Sequence, residues 1–377
     1  MICGVAIAAT PVFAQTIPLQ KKTADCENTV SSLVDSQLWS HPSGDRGDYK
    51  AMLRSIDHSL KYMETPTAKK AYASSKIPGF THYRVTKSLK RFRKLVRTAK
   101  SPQDLAKKVH KEFDLYQSIG NDGNGKVEFT SYFEPTYKAS RYKTSKYKYP
   151  LYSAPAGLKS WSKPHPTRAQ LEGKNGLGGQ LKGQELVWLS DRLDAYLVQV
   201  QGSARLQMTD GTTMSIGFDG NTDYKYVSLG KELINDGQFA DNELSLPKLI
   251  KFFKDNPKEM DTYIPRNNRF IFFRATNGAP ATGSIGVPVT AERSIATDKS
   301  LMPPGALALF STKLPYYNDS KKLEFQKVNR YVLDQDTGSA IKGPGRVDIF
   351  MGSGEQARQR AGLVNHEGQL YYLLLKK

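Results

Sequence analysis

The chain has 377 residues and a formal net charge of +19, from 55 Lys and Arg against 36 Asp and Glu. That length exceeds one average domain, so two lobes are expected, and the charge favours an anionic partner: nucleic acid, an acidic membrane surface or an acidic polymer. Two cysteines, Cys3 and Cys26, exclude a disulfide-stapled fold, because Cys3 would leave with any cleaved leader.

The first residues, MICGVAIAATPVFAQ, are apolar and uncharged and end in small residues before Gln15. They read as a secretory signal over 1–14, with an upstream start implied by the missing positive region. No later run reaches transmembrane length. Neither cysteine follows the Leu-small-small pattern of a lipoprotein, so an exported protein without a lipid anchor is expected.

Helices come next. Met52, Ile56, Leu60 and Met63 recur at helical spacing between Asp48 and about Glu64. Ser101-Pro102-Gln103-Asp104 is a helix opening, followed by Leu105, Val109 and Phe113 as one apolar stripe. GNDGNG (120–125) resembles part of a calcium loop, but Val127 stands where that motif requires glycine, so a turn is expected. KVEFTSYFEPTY then alternates as a strand. The tyrosine-laced basic stretch at 138–148 reads as a solvated loop between strands, since no nucleic-acid motif accompanies it.

ELVWLSDRLDAYLVQVQGSARLQMTDGTTMSIGF reads as several strands, with a hairpin at Asp210-Gly211. YVSLGKELINDG and SLPKLIKFFKDNP read as two helices, stopped at Gly237 and Pro257. From Arg269 onward the pattern is all β. The histidines, at 41, 58, 82, 110, 165 and 366, never fall at metal-ligand spacing, so neither a metal nor a cofactor is expected.

Three aspartates stand in distinctive contexts: SIATDKSLMPPG (Asp298), YVLDQDTGSAIKG (Asp336) and GRVDIFMGSG (Asp348). Strand alternation puts Arg346, Asp348 and Phe350 on one face, with Val347 and Ile349 on the other. If the valine and isoleucine face a core, Asp348 projects towards a cleft or solvent. Glycines at 338, 343, 345, 352 and 354 allow close approach of a bulky ligand. Asp334 is expected to stabilise a turn. Spacing alone leaves a structural role open for all three aspartates.

These contexts resemble the membrane-bound lytic murein transglycosylase A family and its C-terminal "3D" domain. SYFEPTY, PTRAQL, DAYLVQVQGSARL, YKYVSLGKELINDG, NNRFIFF, IGVPVTAERSIATDKSLMPPG and GSGEQARQRAGLVNHEGQLYYLLL follow in family order over about 126–377. The resemblance implies a mainly β fold with N-terminal helices. A double-psi β-barrel lobe would be built from the N-terminal helical part (15–130) and the 3D segment (268–377). A smaller β-barrel (131–267) would be inserted between them, and a groove between the lobes would hold a peptidoglycan glycan strand. It further implies Asp348 as catalytic acid, Asp336 and Asp298 as supporting residues, and Tyr132, Gln201, Gly202, Ser203 and Lys342 as substrate-binding residues. Two alternatives stay open: a wall-binding protein without chemistry, or a hydrolase that takes its second carboxylate from Glu134 or Asp194.

Overall fold

The computed structural model describes residues 17–22, 30–39, 47–240 and 243–377. The leader, Gln15, both cysteines and His41 lie outside the described residues.

After a short strand β1 (Leu19–Lys21), four helices form: α1 (Tyr49–Met63), α2 (Pro66–Ala73), α3 (His82–Thr98) and α4 (Pro102–Glu112). Ser101 caps α4 as its sequence indicates, with Asp104 N–H donating to Ser101 Oγ at 3.1 Å. Met52 and Ile56 of α1 and Leu89 and Phe92 of α3 are fully buried against the main core. One apolar stripe per helix is therefore spent on the barrel beneath.

That barrel uses six strands: β3 (Val127–Glu134), β10 (Ser294–Ala296), β11 (Leu307–Tyr317), β12 (Leu323–Asp336), β13 (Arg346–Ser353) and β14 (Asn365–Leu375). Their order is β14-β11-β12-β10-β13-β3, and β3 pairs back to β14, which closes the ring. The pairs β10–β12 and β13–β3 are parallel, whereas β10–β13 is antiparallel. This is the closed barrel of the double-psi fold that the family resemblance implies. β2 (Phe113–Ser118) joins β1 to its outside through β14. A turn over 120–126 leads from β2 to β3, where Asp122 Oδ1 accepts the Asn124 and Lys126 amides at 2.8 and 3.0 Å.

Pro135 ends β3, and the chain crosses into a second sheet. It contains β4 (Thr136–Ser140), β5 (Tyr149–Tyr152), β6 (Glu185–Leu189), β7 (Ser203–Met208), β8 (Thr213–Asn221) and β9 (Ile271–Ala275), in the order β5-β6-β4-β7-β8-β9. A Ser153–Phe273 bridge links its two ends. The Asp210-Gly211 hairpin joins β7 to β8, and the basic stretch at 138–148 leads from β4 to β5. Ser131–Glu134 thus belongs to the large barrel, and β9, beyond residue 267, belongs to the inserted sheet.

Two segments read as strands are helices. Arg192–Gln201 forms α6, after the short α5 (Arg168–Glu172). Asp191 caps it through the Asp194 amide at 3.0 Å, and Gly202 closes it in the left-handed region at φ 79°. These end signals outweigh the alternating valines inside. α7 (Leu229–Asn235) and α8 (Leu246–Asp255) fall where expected, and the one-turn α9 (Met260–Tyr263) follows. The other strand misreading is Gly354–Ala361, which forms α10 and buries Ala357 and Ala361 one turn apart.

Candidate active site

β13 carries Asp348 between two walls of the barrel. On one side its parallel partner β3 pairs Thr130 with Asp348, Glu128 with Arg346 and Tyr132 with Phe350. On the other side, Ala296 of β10 pairs with Asp348 of β13 and also with Asp336 of β12. A small residue therefore separates the two aspartates across the sheet. Val347 and Ile349 are fully buried in the core, so strand alternation turns Asp348 out of it. Asp348 lines a cavity of about 120 Å³ whose other walls come from both lobes. The inserted lobe supplies Arg168, Gln199, Tyr226, Asn267 and Arg269, and the loop at 338–341 supplies the rest of the barrel side.

Burial pushes the Asp348 carboxyl up to about 6, against the Thr130 hydroxyl and the Arg346 charge, while the Asp336 charge adds to the rise. Thr130 Oγ donates to Asp348 Oδ1 at 3.0 Å. Arg346 opposes the rise but does not outweigh burial, and its Nη1 also pairs with Glu128 Oε1 at 2.6 Å. The group can thus hold a proton near neutral pH and give it up readily.

Asp336 and Asp298 are tied more tightly. Asp336 Oδ2 accepts the Tyr132 hydroxyl at 2.6 Å, and Oδ1 accepts the Ser284 and Thr337 amides, each at 2.8 Å. Burial still raises its pKa despite these bonds. Asp298 accepts the Ser300 hydroxyl and amide on Oδ1 at 2.6 and 3.1 Å, and the Gly343 amide on Oδ2 at 3.0 Å. Burial acts to raise its pKa, but the Ser300 and Gly343 bonds and the Lys342 charge outweigh it and hold the carboxyl low. Asp298 binds the 343 loop to the loop after β10.

Asp334 is not in a turn. It lies inside β12, fully buried, accepting from Thr297 Oγ1 and from the Tyr372 hydroxyl at 2.7 Å and pairing with the Lys299 ammonium. The strand simply continues through it to Asp336. Gly345 also serves the protein itself, since a side chain there would strike the Asn121 backbone at 2.3 Å.

Of the residues expected to bind substrate, Tyr132 donates to Asp336, and none of Tyr132, Gln201, Gly202, Ser203 and Lys342 lines the cavity. Gln201 Oε1 accepts the Phe133 amide at 3.0 Å and so pins the α6–β7 turn to the end of β3. Lys342 is exposed. Glu134 is buried, with Oε2 accepting Arg205 Nε at 2.7 Å and Ser353 Oγ at 2.6 Å. Asp194 is also raised to about 6, by burial and by Asp191, but it lies outside the cavity.

Thr130, Gln199, Tyr226 and Arg269 were not singled out from sequence. The last three stand inside stretches that carry the family resemblance, which was the available signal. Arg168, in PTRAQL, is fully buried and donates to Glu172, Gln199 and the carbonyls of Asn267 and Arg269. It builds the cavity wall and spends these guanidinium bonds on the protein itself. Among the described residues no group of side chains could hold a metal ion, and no helix is long and apolar enough to cross a membrane.

A closed barrel that presents a carboxyl of raised pKa to a cavity shared with an inserted lobe has the arrangement expected of an enzyme of acid–base type. Residues 128–274 match the MltA specific insert domain, and residues 293–374 match the 3D domain. The membrane-bound lytic murein transglycosylase A of Escherichia coli K12 is 30% identical over 264 residues, covering 69% of each chain. The chain belongs to the membrane-bound lytic murein transglycosylase A family. Among solved structures, the lytic transglycosylase LtgG of Burkholderia pseudomallei is 27% identical with a TM-score of 0.55, over 98% of this chain and 99% of that one. E. coli MltA with bound chitohexaose is 23% identical with a TM-score of 0.66, over 91% and 96%, and shares the fold.

Proposed function

We propose that Asp348 alone performs the acid–base chemistry of this lytic transglycosylase, on the bond between N-acetylmuramic acid and N-acetylglucosamine in peptidoglycan. Lytic cleavage of murein comes with family membership; the assignment of roles rests on one observation. Among the described residues lining the cavity, Asp348 is the only carboxylate. A pKa near 6 does not by itself select it, because Asp194 shares that property without facing the cavity.

Asp348 in its acid form protonates the glycosidic oxygen, and the C1–O bond of the muramyl residue breaks as the glucosaminyl hydroxyl leaves. The C6 hydroxyl of the same muramyl residue then attacks C1. Its proton passes to the Asp348 carboxylate, which restores the acid, and a 1,6-anhydro ring closes without water. An intramolecular nucleophile supplies the effective molarity that a hydrolase obtains from a second carboxylate and a bound water. Glu134, held by Arg205 and Ser353, is not free to serve as that second group. Tyr132 holds Asp336, and the Gln201–Ser203 turn and Lys342 meet sugars further along the strand. An exported enzyme working at the wall fits this substrate.

Digestion of purified murein sacculi, read by mass spectrometry, tests the assignment. Muramyl ends should be non-reducing and about one water lighter than hydrolytic ends. Predominantly reducing muramic acid would return the reaction to a two-carboxylate hydrolase, and no release at all would leave a wall-binding protein.

A further inference from the structure

The cavity that Asp348 lines also contains a cation with no anionic partner among the described residues. Arg269 lies just before β9, half-buried among cavity-lining residues of the inserted lobe. Its Nη1 donates to the Tyr224 carbonyl at 3.2 Å, while its Nε is buried with no hydrogen-bond partner. Burial lowers its pKa, and no carboxylate counters that effect. The surrounding backbone is held in place: Arg168 Nη2 donates to the Arg269 carbonyl at 2.8 Å, and the Arg269 amide donates to Asn267 Oδ1 at 3.3 Å. Other buried arginines of the chain are paired, Arg293 with Asp35 and Asp48 and Arg168 with Glu172.

A guanidinium withdrawn from water and left unpaired is costly, and such groups are normally matched by an anion. Asp348 is not that anion, because the cation acting on it is Arg346. The planar guanidinium fork fits a carboxylate better than any other common anion except phosphate. On the murein reading above, the glycan presents such a group beside the bond to be cut: the lactyl substituent of the muramyl residue, free or extended by a peptide stem.

We propose that Arg269 binds a carboxylate of the muramyl residue through the end of its guanidinium, from the cavity wall it lines, and so sets a preference for acidic murein strands over neutral N-acetylglucosamine polymers. The inference rests on the proposed murein chemistry and concerns only how that substrate is read.

Steady-state kinetics of wild type, Arg269→Gln and Arg269→Lys test it on three glycans: stem-free murein chains, peptide-bearing chains, and stem-free chains whose carboxyls have been methylamidated. Circular dichroism and melting curves check that each variant is folded. Arg269→Gln should raise KM on a carboxylate-bearing glycan by about ten- to hundred-fold, the worth of a charged hydrogen bond, with kcat within a few-fold. Arg269→Lys should recover part of that loss. On amidated chains wild type and Arg269→Gln should match. A loss confined to stem-free chains places the carboxylate on the lactyl group, and a loss confined to peptide-bearing chains places it on the stem. Equal losses on charged and amidated chains, or no loss on any glycan, would overturn the proposal. If wild type forms no anhydro product on any of the three, the underlying murein reading fails instead.

Discussion

The Thr130 hydroxyl donates a 3.0 Å hydrogen bond to Asp348 Oδ1 from the position directly paired with it in the parallel β3–β13 ladder. That bond favours the carboxylate, burial favours the acid, and the balance lies at about 6. A strand pairing within the barrel wall therefore adjusts the acid. Since the first chemical step needs the protonated form, kcat/KM should fall about tenfold per pH unit above about 6.

Thr130→Val keeps the shape and removes the donor. Asp348 should then titrate higher, and the alkaline limb of the pH–rate profile should move upward while the fold and maximal rate change little. A limb that stays in place would remove Thr130 from the control of proton affinity.

Asp348→Asn cannot cycle a proton, and its activity should drop by about a thousandfold or more. Its stability should change the other way. A carboxyl whose folded pKa is raised binds its proton more tightly in the folded state, so stability falls as pH rises from 3.8 through about 6. The displacement corresponds to about 3 kcal/mol as an upper limit. The variant should thus melt above wild type at pH 8 and level with it near pH 3. Equal melting at both pH values would mean that Asp348 is better solvated than its surroundings indicate.

How far the sequence reaches is visible at these same residues. Alternation around Val347 and Ile349 was enough to turn Asp348 out of the core, because a two-residue period is local. The Ser101 cap and the Asp210-Gly211 hairpin were legible for the same reason. Thr130 was not, since its place beside Asp348 depends on the register of two strands 218 residues apart. Asp334 was misread because glycines and a second aspartate follow it closely, while its burial depends on Lys299 and Tyr372 arriving from elsewhere. In α6 the apolar alternation was real, but the Asp191 and Gly202 end signals decided the outcome, whereas in α10 the buried Ala357 and Ala361 stand at helical spacing inside a C-terminal stretch read as all β. The family-like stretches carried Tyr226, Gln199 and Arg269 without saying that they would meet at one cavity.

Asp298→Asn should act on stability first. The native carboxylate accepts three hydrogen bonds that join two loops. A charged acceptor is worth about 1.5–3 kcal/mol, so the melting temperature should fall by several degrees. Its folded pKa is depressed, so the contribution is present above about pH 4 and is lost as pH falls through the folded value. The gap between variant and wild type should accordingly narrow in acid. The pH–rate limb of the remaining activity should stay near 6. A variant with unaltered melting and a shifted limb would make Asp298 part of the proton network instead of a loop tie.

Asp336→Asn completes the comparison, because it changes a charge and leaves most of the geometry. The amide oxygen can still accept the Ser284 and Thr337 amides, and the amide nitrogen can face the Tyr132 hydroxyl, whose oxygen also accepts. What disappears is a negative charge that raises Asp348. The alkaline limb should therefore move down, opposite to its movement in Thr130→Val. Asp336 is itself raised by burial, so the two carboxyls titrate as a coupled pair and the wild-type limb belongs to both. Opposite displacements in the two variants, measured on the same glycan and at the same ionic strength, are the signature of an electrostatically adjusted acid. Displacements in the same direction would show that both substitutions merely loosen the barrel around Asp348.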